Sequence, residues 1–380
     1  MREERSFNTR LLHDAADRDP VTGAVSTPIY QVSTFHQDPD NPGIYDYSRS
    51  GNPTRRALED LIAALEQGKR GFAFASGMAA VSTVLMLFQP GDHLIVSEDI
   101  YGGTYRVLTQ VFDRWDLRIS FVDTTNPEEI VKALNSRTTA LFIETPSNPL
   151  LKITDLREVA AIAERNGLLT IVDNTFLTPY LCRPLELGID IVIHSATKFL
   201  NGHSDVVAGL VVVKDPELAN KIGFLQNALG GVLGPQDSWL LIRGIKTLGI
   251  RIDRQSANAL SIATWLKSQA WVEEVYYPGL ENHLGRGILS EISTGYGAVV
   301  SFEVKESNVL QKLIRKLTIP AVAVSLGAVE SILTYPVTMS HASMPKSQRE
   351  KLGITDKLLR LSVGLEEPAE IINDILNALG

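Results

Sequence analysis

Two short, nearly all-apolar runs, Leu168–Val172 and Ile189–Ile193, constrain this chain more than any other feature. Each ends abruptly in polar residues: Asp173-Asn174-Thr175 after the first, His194-Ser195-Ala196-Thr197-Lys198 after the second. Runs of this length, rich in Ile and Val, suit parallel strands covered on both faces. An open α/β sheet builds its sites at the C-terminal ends of such strands. One strand end therefore offers a carboxylate, and a nearby one offers hydroxyls and an amine.

An Asp at a buried strand end stays ionised only with a cationic partner or several hydrogen bonds. A Lys in a partly desolvated site has its pKa pushed down, so its amine becomes a usable nucleophile and base. A pyridinium ring carrying an aldehyde and a phosphate meets the whole set. Its ring N–H⁺ pairs with Asp173, its aldehyde with Lys198, and Ser195 and Thr197 donate to its phosphate. Taken singly, Asp173 also reads as a helix cap and Lys198 as a surface lysine. A second signal lies upstream, where Ser76-Gly77-Met78-Ala79-Ala80 leads into a helix. Small residues at a helix start let backbone N–H groups approach an anion, although the same pattern also serves plain packing.

Around these runs, strand and helix patterns alternate. Strands are expected at His93–Ser97, Ile119–Val122, Ala140–Glu144 and Val207–Val213, and helices after Thr54, Tyr101, Pro127, Asp155 and Pro216. That alternation predicts an α/β fold with a mostly parallel sheet flanked by helices. Beyond about residue 240 the pattern changes to a long helical segment over 236–268, strands at Val299–Val304 and Ala321–Val324, and a helix from Pro368. The expected organisation is an N-terminal arm over 1–50, a large domain over 51–240 and a smaller α+β domain over 241–380. The arm is punctuated by Pro20, Pro28, Pro39 and Pro42, and its aromatic residues suggest that a partner surface orders it. With 380 residues, 44% hydrophobic, the chain is long enough for two domains. A formal net charge of -8 argues against nucleic acid or an anionic membrane as partner. A single cysteine, Cys182, fits a reducing compartment, and no apolar stretch of spanning or signal length is present; a cytoplasmic location is expected. No metal-ligand cluster is apparent.

The ordered set YSRSGNPT, SGMAA, YGGT, ETPSNP, VDNTF, HSATK, GHSD, SLGAVES and LLRLSVGLE resembles the trans-sulfuration (Cys/Met metabolism) group of fold-type I pyridoxal-phosphate enzymes, over essentially the whole chain. The resemblance implies pyridoxal 5'-phosphate as cofactor and a sulfur amino acid as substrate. It assigns Lys198 as the lysine joined to the cofactor, Asp173 as partner of the pyridine nitrogen, and Tyr101 as the aromatic stacked on the ring. Gly77, Met78, Ser195 and Thr197 become phosphate donors, and Asn148 a neighbour of the cofactor's phenolic oxygen. Arg360 is assigned to the substrate α-carboxylate, with Ser325 positioning it and Lys198. Tyr47 and Arg49 match a pair that reaches a neighbouring subunit's phosphate, which implies a homodimer at minimum and a homotetramer as the expected assembly. His194, His203 and Asp205 are expected to be structural.

The tail from Ser325 is most similar to the cystathionine β-lyase branch, which implies β-elimination from cystathionine in methionine biosynthesis. γ-Lyase and γ-synthase chemistry are the alternatives within the family. Glu330, in the SLGAVES segment, is expected to line the substrate site but occurs on both sides of that choice. Gly103 departs from the cysteine found in methionine γ-lyases. Outside the family, a nucleotide-dependent oxidoreductase lacks its GxGxxG unit, and a non-catalytic ligand-binding protein has little use for Lys198.

Overall fold

The computed structural model describes residues 5–14, 19, 21–41, 43–342 and 344–380; Pro20 and Pro42 of the expected arm lie outside the described residues. Seven strands form the larger sheet: β1 (Arg70–Phe74), β2 (His93–Ser97), β3 (Arg118–Val122), β4 (Thr138–Glu144), β5 (Leu169–Asp173), β6 (Ile191–Ser195) and β7 (Gly209–Val213). Their spatial order is β1-β7-β6-β5-β4-β2-β3. The strands from β3 to β6 pair in parallel, while β7 and β1 run antiparallel at one edge. Helices cover both faces, so the central strands are buried throughout, as their unbroken Ile/Val/Leu content requires.

A second sheet, built entirely from residues after 240, has the order β10-β11-β12-β9-β8. Its strands are β8 (Val272–Tyr276), β9 (Val299–Val304), β10 (Ala321–Val322), β11 (Ile332–Thr334) and β12 (Leu358–Ser362). All neighbours pair antiparallel except β10 and β11.

Two strands, β1 and β12, add to the sequence expectation, and two expected elements differ from it. In β1, a Cβ on Gly71 would collide with the Glu59 carbonyl on the helix Pro53–Leu65, so glycine lets strand and helix approach. The long helix over 236–268 is two helices, Pro235–Ile245 and Leu248–Lys267. Arg251 fills the break, donating to the Gly244 carbonyl (2.9 Å) and to Thr247 Oγ1 (3.1 Å). The strand at 321–324 stops after two residues, because the chain turns at Ser325, whose φ is +93°. Finally, β12, which carries Arg360, has no clear two-residue alternation, since both of its faces are buried.

The N-terminal arm folds back on the start of helix Pro53–Leu65. Thr54 Oγ1 donates to the Pro28 carbonyl (2.7 Å), and Asn52 Nδ2 donates to the Tyr30 carbonyl (2.9 Å). Arg55 holds the Ser48 and Arg49 carbonyls. Its outer face leaves Ile29, Tyr30, Val32, Ile44 and Tyr47 exposed.

Candidate active site

The C-terminal ends of β4, β5 and β6 converge on a cavity of about 690 Å³. Glu144 and Asp173 are paired in register at the ends of β4 and β5, and both line it. Asp173 accepts from the Thr175 hydroxyl (2.5 Å) and backbone N–H (3.0 Å). Burial nevertheless lifts it above the ordinary carboxylate range, with Thr175 and Lys198 pulling the other way. Burial and then Asp173 push Glu144 well above that range; its Oε2 accepts from the Tyr101 backbone N–H (2.7 Å).

After Ser195 the chain turns tightly, with Lys198 N bonded to the Ser195 carbonyl (3.1 Å), so the Lys198 side chain enters the cavity beside Asp173. Its Nζ donates to Ser325 Oγ at 2.7 Å. Burial, then Arg360, lower its pKa from 10.5 to about 8, against the pull of Asp173. Arg360, 2% exposed, donates to Asn148 Oδ1 (2.7 Å), the Ser325 carbonyl (2.6 Å) and Thr334 Oγ1 (3.0 Å). Its Nε has no partner. Burial pushes this guanidinium down to about 10.

On another wall, Ser76 caps the helix Gly77–Leu85 by accepting from Ala79 N (3.0 Å), which leaves the Gly77 and Met78 N–H groups without acceptors among the described residues. A Cβ on Gly77 would lie 3.0 Å from Ser195 Cβ and 3.1 Å from its Oγ, so only glycine brings this backbone against the Ser195 hydroxyl. Tyr101 stands half-exposed at the cavity wall, and a Cβ on Gly103 would collide with its ring, which gives that glycine a packing role.

The structure therefore gathers Gly77, Met78, Tyr101, Asn148, Asp173, Ser195, Thr197, Lys198, Ser325 and Arg360 around one cavity. Thr197 differs in detail: its hydroxyl is engaged with the Ala208 carbonyl (3.2 Å) and N–H (3.0 Å). Tyr47 and Arg49 do not line this chain's cavity; Arg49 donates to Asn227 (2.7 and 3.0 Å), with its guanidinium over the Tyr47 ring. Glu330 follows the buried stretch Leu326–Ala328; its side chain is exposed in the single chain and is not among the residues that line this cavity. His194 is buried against Glu66 (2.7 Å), while His203 and Asp205 bond to Asn201, as structural roles require. Cys182 is buried, and burial raises its thiol.

Sequence reasoning missed Glu144, Thr175 and Arg106. The first two lie inside the quoted ETPSNP and VDNTF segments, so their positions were visible and their contacts were not. Arg106 lines the cavity, exposed and without a hydrogen bond or ion pair among the described residues; nothing in its sequence context marks it.

The model of the Cys/Met metabolism PLP-dependent enzymes matches residues 8–380. The chain belongs to this family. Among curated relatives, cystathionine beta-lyase MetC of Bacillus subtilis (strain 168) is 53% identical over 98% of this chain and 96% of its own length. A cystathionine gamma-lyase of the same organism is 51% identical, covering 98% of each. Among solved structures, the cystathionine gamma-lyase of Lactobacillus plantarum complexed with L-serine superposes with a TM-score of 0.97 at 46% identity, covering 98% of each chain.

The cavity fits the family's cofactor on its own terms. Asp173 is a buried carboxylate whose pKa burial raises, and a pyridinium N–H⁺ is a cationic partner that favours its charged form. Gly77, Met78 and Ser195 present converging donors at a helix start, where a phosphate belongs. Lys198 is a desolvated amine within the same space.

Proposed function

We propose that the chain is a cystathionine β-lyase, converting L-cystathionine and water to homocysteine, pyruvate and ammonia in methionine biosynthesis. The observation that carries this reading is the charge layout of the cavity. Two guanidinium groups, buried Arg360 and open Arg106, suit a substrate with a carboxylate at each end, as cystathionine has. The carboxyls lining it, Glu144 and Asp173, are both engaged, by Tyr101 and Thr175 respectively. Relatives named cystathionine beta-lyase, 53% and 51% identical, support cleavage at Cβ.

Bound pyridoxal phosphate supplies the electron sink that stabilises negative charge at the substrate Cα. When the cofactor is bound, Asp173 would hold the pyridine nitrogen protonated, Gly77, Met78 and Ser195 would hold the phosphate, and Tyr101 would pack against the ring. Arg360, fixed by Asn148 and Thr334, grips the α-carboxylate with its planar fork. Lys198, an amine that burial makes less basic than an ordinary lysine, takes the Cα proton, and Ser325 aims it. The Cβ–S bond then breaks, and the sulfur leaves as the thiolate of homocysteine.

The test is the keto acid released from L-cystathionine by the purified, cofactor-loaded protein. Pyruvate with homocysteine is expected; 2-oxobutyrate with cysteine would overturn the β-lyase reading in favour of a γ-lyase. Tyr47 and Arg49, outside the lining of their own cavity, support a site completed by a second subunit, in a homodimer at minimum and a homotetramer as the full assembly. In the cytoplasm, where we place the enzyme, the lone buried Cys182 stays reduced; among the described residues no helix is long and apolar enough to cross a membrane.

A further inference from the structure

The helix Leu248–Lys267 lies outside the cavity, yet it grips both segments that meet at Lys198 and Ser325. Arg251, 3% exposed, donates from Nη1 to the Phe199 carbonyl (2.7 Å) and from Nη2 to the Leu200 carbonyl (3.3 Å), the two residues that follow Lys198. One turn on, fully buried Gln255 donates from Nε2 to the carbonyl of Ala328 (2.7 Å), three residues after Ser325, and to that of Val363 (3.1 Å). The two gripped segments also abut directly. Val329 N donates to the Gly202 carbonyl (2.8 Å), and a Cβ on Gly327 would stand 2.6 Å from Phe199 N and 3.0 Å from the Lys198 carbonyl carbon. A Cβ on Gly202 would collide with the Arg251 guanidinium. Both glycines have positive φ, +75° and +81°. Ser325 has φ +93° without being glycine, a conformation that persists only where its surroundings over-determine it.

We propose that Arg251 and Gln255 are positioning residues for the cofactor lysine: spaced one helical turn apart, they clamp the Lys198 and Ser325 segments to one rigid helix and so set the Lys198–Ser325 contact. A side-chain hydrogen bond between two loops is only as well placed as the backbones beneath it. Here each backbone hangs on a carbonyl held by the same helix face. Arg251 suits the task because its fork reaches several carbonyls at once, which a lysine ammonium cannot do in one plane. The inference rests on Lys198 as the cofactor lysine and is independent of which C–S bond the enzyme breaks.

The experiment compares Arg251→Met, Arg251→Lys, Ser325→Ala and the double variants, all loaded with pyridoxal phosphate. Two quantities are read: the pH midpoint of the bound cofactor's visible absorption, and kcat for elimination. Arg251→Met is expected to move the midpoint by about half a pH unit or more and to lower kcat roughly tenfold. Arg251→Lys should recover part of both. On Ser325→Ala, adding Arg251→Met should bring little further loss, because both act through one contact. Asn258→Ser is the structural control: Asn258, on the same helix, holds the Gly364 (3.0 Å) and Glu366 (2.8 Å) carbonyls, so its loss lowers the melting temperature without moving the midpoint. Multiplicative losses in the double variant, or Arg251 variants that lose only melting temperature, would overturn the proposal. Should Arg251→Met fail to fold, Arg251→Lys and Gln255→Leu carry the same comparison. A parent protein with no visible band would instead defeat the cofactor reading, so the two failures are distinguishable.

Discussion

Lys198 is held in its cavity at a cost to folding, and that cost can be measured. In the cofactor-free chain its amine titrates near 8 instead of 10.5, chiefly because of burial, with Arg360 adding to the effect. That difference corresponds to roughly 3 kcal/mol by which the folded state disfavours the charged amine. Cavity water hydrates the ammonium in part, so this is an upper figure. Replacing Lys198 by Met keeps the length of the side chain, removes the charge, and forfeits the bond to Ser325, worth about 1 kcal/mol. Lys198→Met should therefore stabilise the cofactor-free chain by about 2 kcal/mol at pH 7.

The pH dependence fixes the sign. Between about 8 and 10.5 the unfolded chain keeps a proton that the folded one has lost, so the parent gains stability as pH rises through this window. The variant lacks that slope, so its advantage shrinks as pH rises and, above 10.5, reverses to a deficit of about 1 kcal/mol from the lost Ser325 bond. Urea titrations of both proteins at several pH values, at one fixed protein concentration because subunit association contributes, give the comparison directly. A Lys198→Met variant no more stable than the parent at pH 7, with parallel pH profiles, would refute the claim that desolvation tunes this amine.

Three further outcomes follow from the same geometry. Gly77→Ala places a Cβ 3.0 Å from Ser195 Cβ and 3.2 Å from its Cα; it should weaken pyridoxal-phosphate binding at least about tenfold by equilibrium dialysis, roughly 1.4 kcal/mol or more, with little change in melting temperature. Arg360→Lys retains charge but loses the fork that spans Asn148, Ser325 and Thr334, so kcat/KM for cystathionine should fall roughly 30- to 5000-fold in steady-state assays, equivalent to about 2–5 kcal/mol. His341 is buried, and burial followed by Arg360 lowers its pKa from 6.5 to about 4. Its folded state resists protonation, so stability falls as pH drops from 6.5 towards 4, and His341→Gln should flatten that acid limb in denaturation profiles.

The sequence by itself determined the parts of this protein that local chemistry dictates. Unbroken Ile/Val runs suit strands covered on both faces, and β2 and β9 lie where such runs predict them. A carboxylate and a lysine closing two of those runs point to an electron-sink cofactor once the ordered motifs, which carried the family, are read with them. Tertiary structure alone decided how distant segments meet. Arg360 lies 212 positions from Asn148, and Ser325 lies 127 from Lys198, so no periodicity could pair them. Glu330 shares a motif with Ser325, and only the dive of the chain into the core at 326–328 decides that its side chain is exposed in the single chain. Arg106 carried no local signal, because an unpaired guanidinium acquires meaning only from the cavity beside it. Arg251 and Gln255 read as ordinary polar residues on a helix, for their partners are backbone carbonyls, which carry no sequence signature. Residue identity therefore set which chemistry was possible, and packing between the two sheets set which side chains perform it.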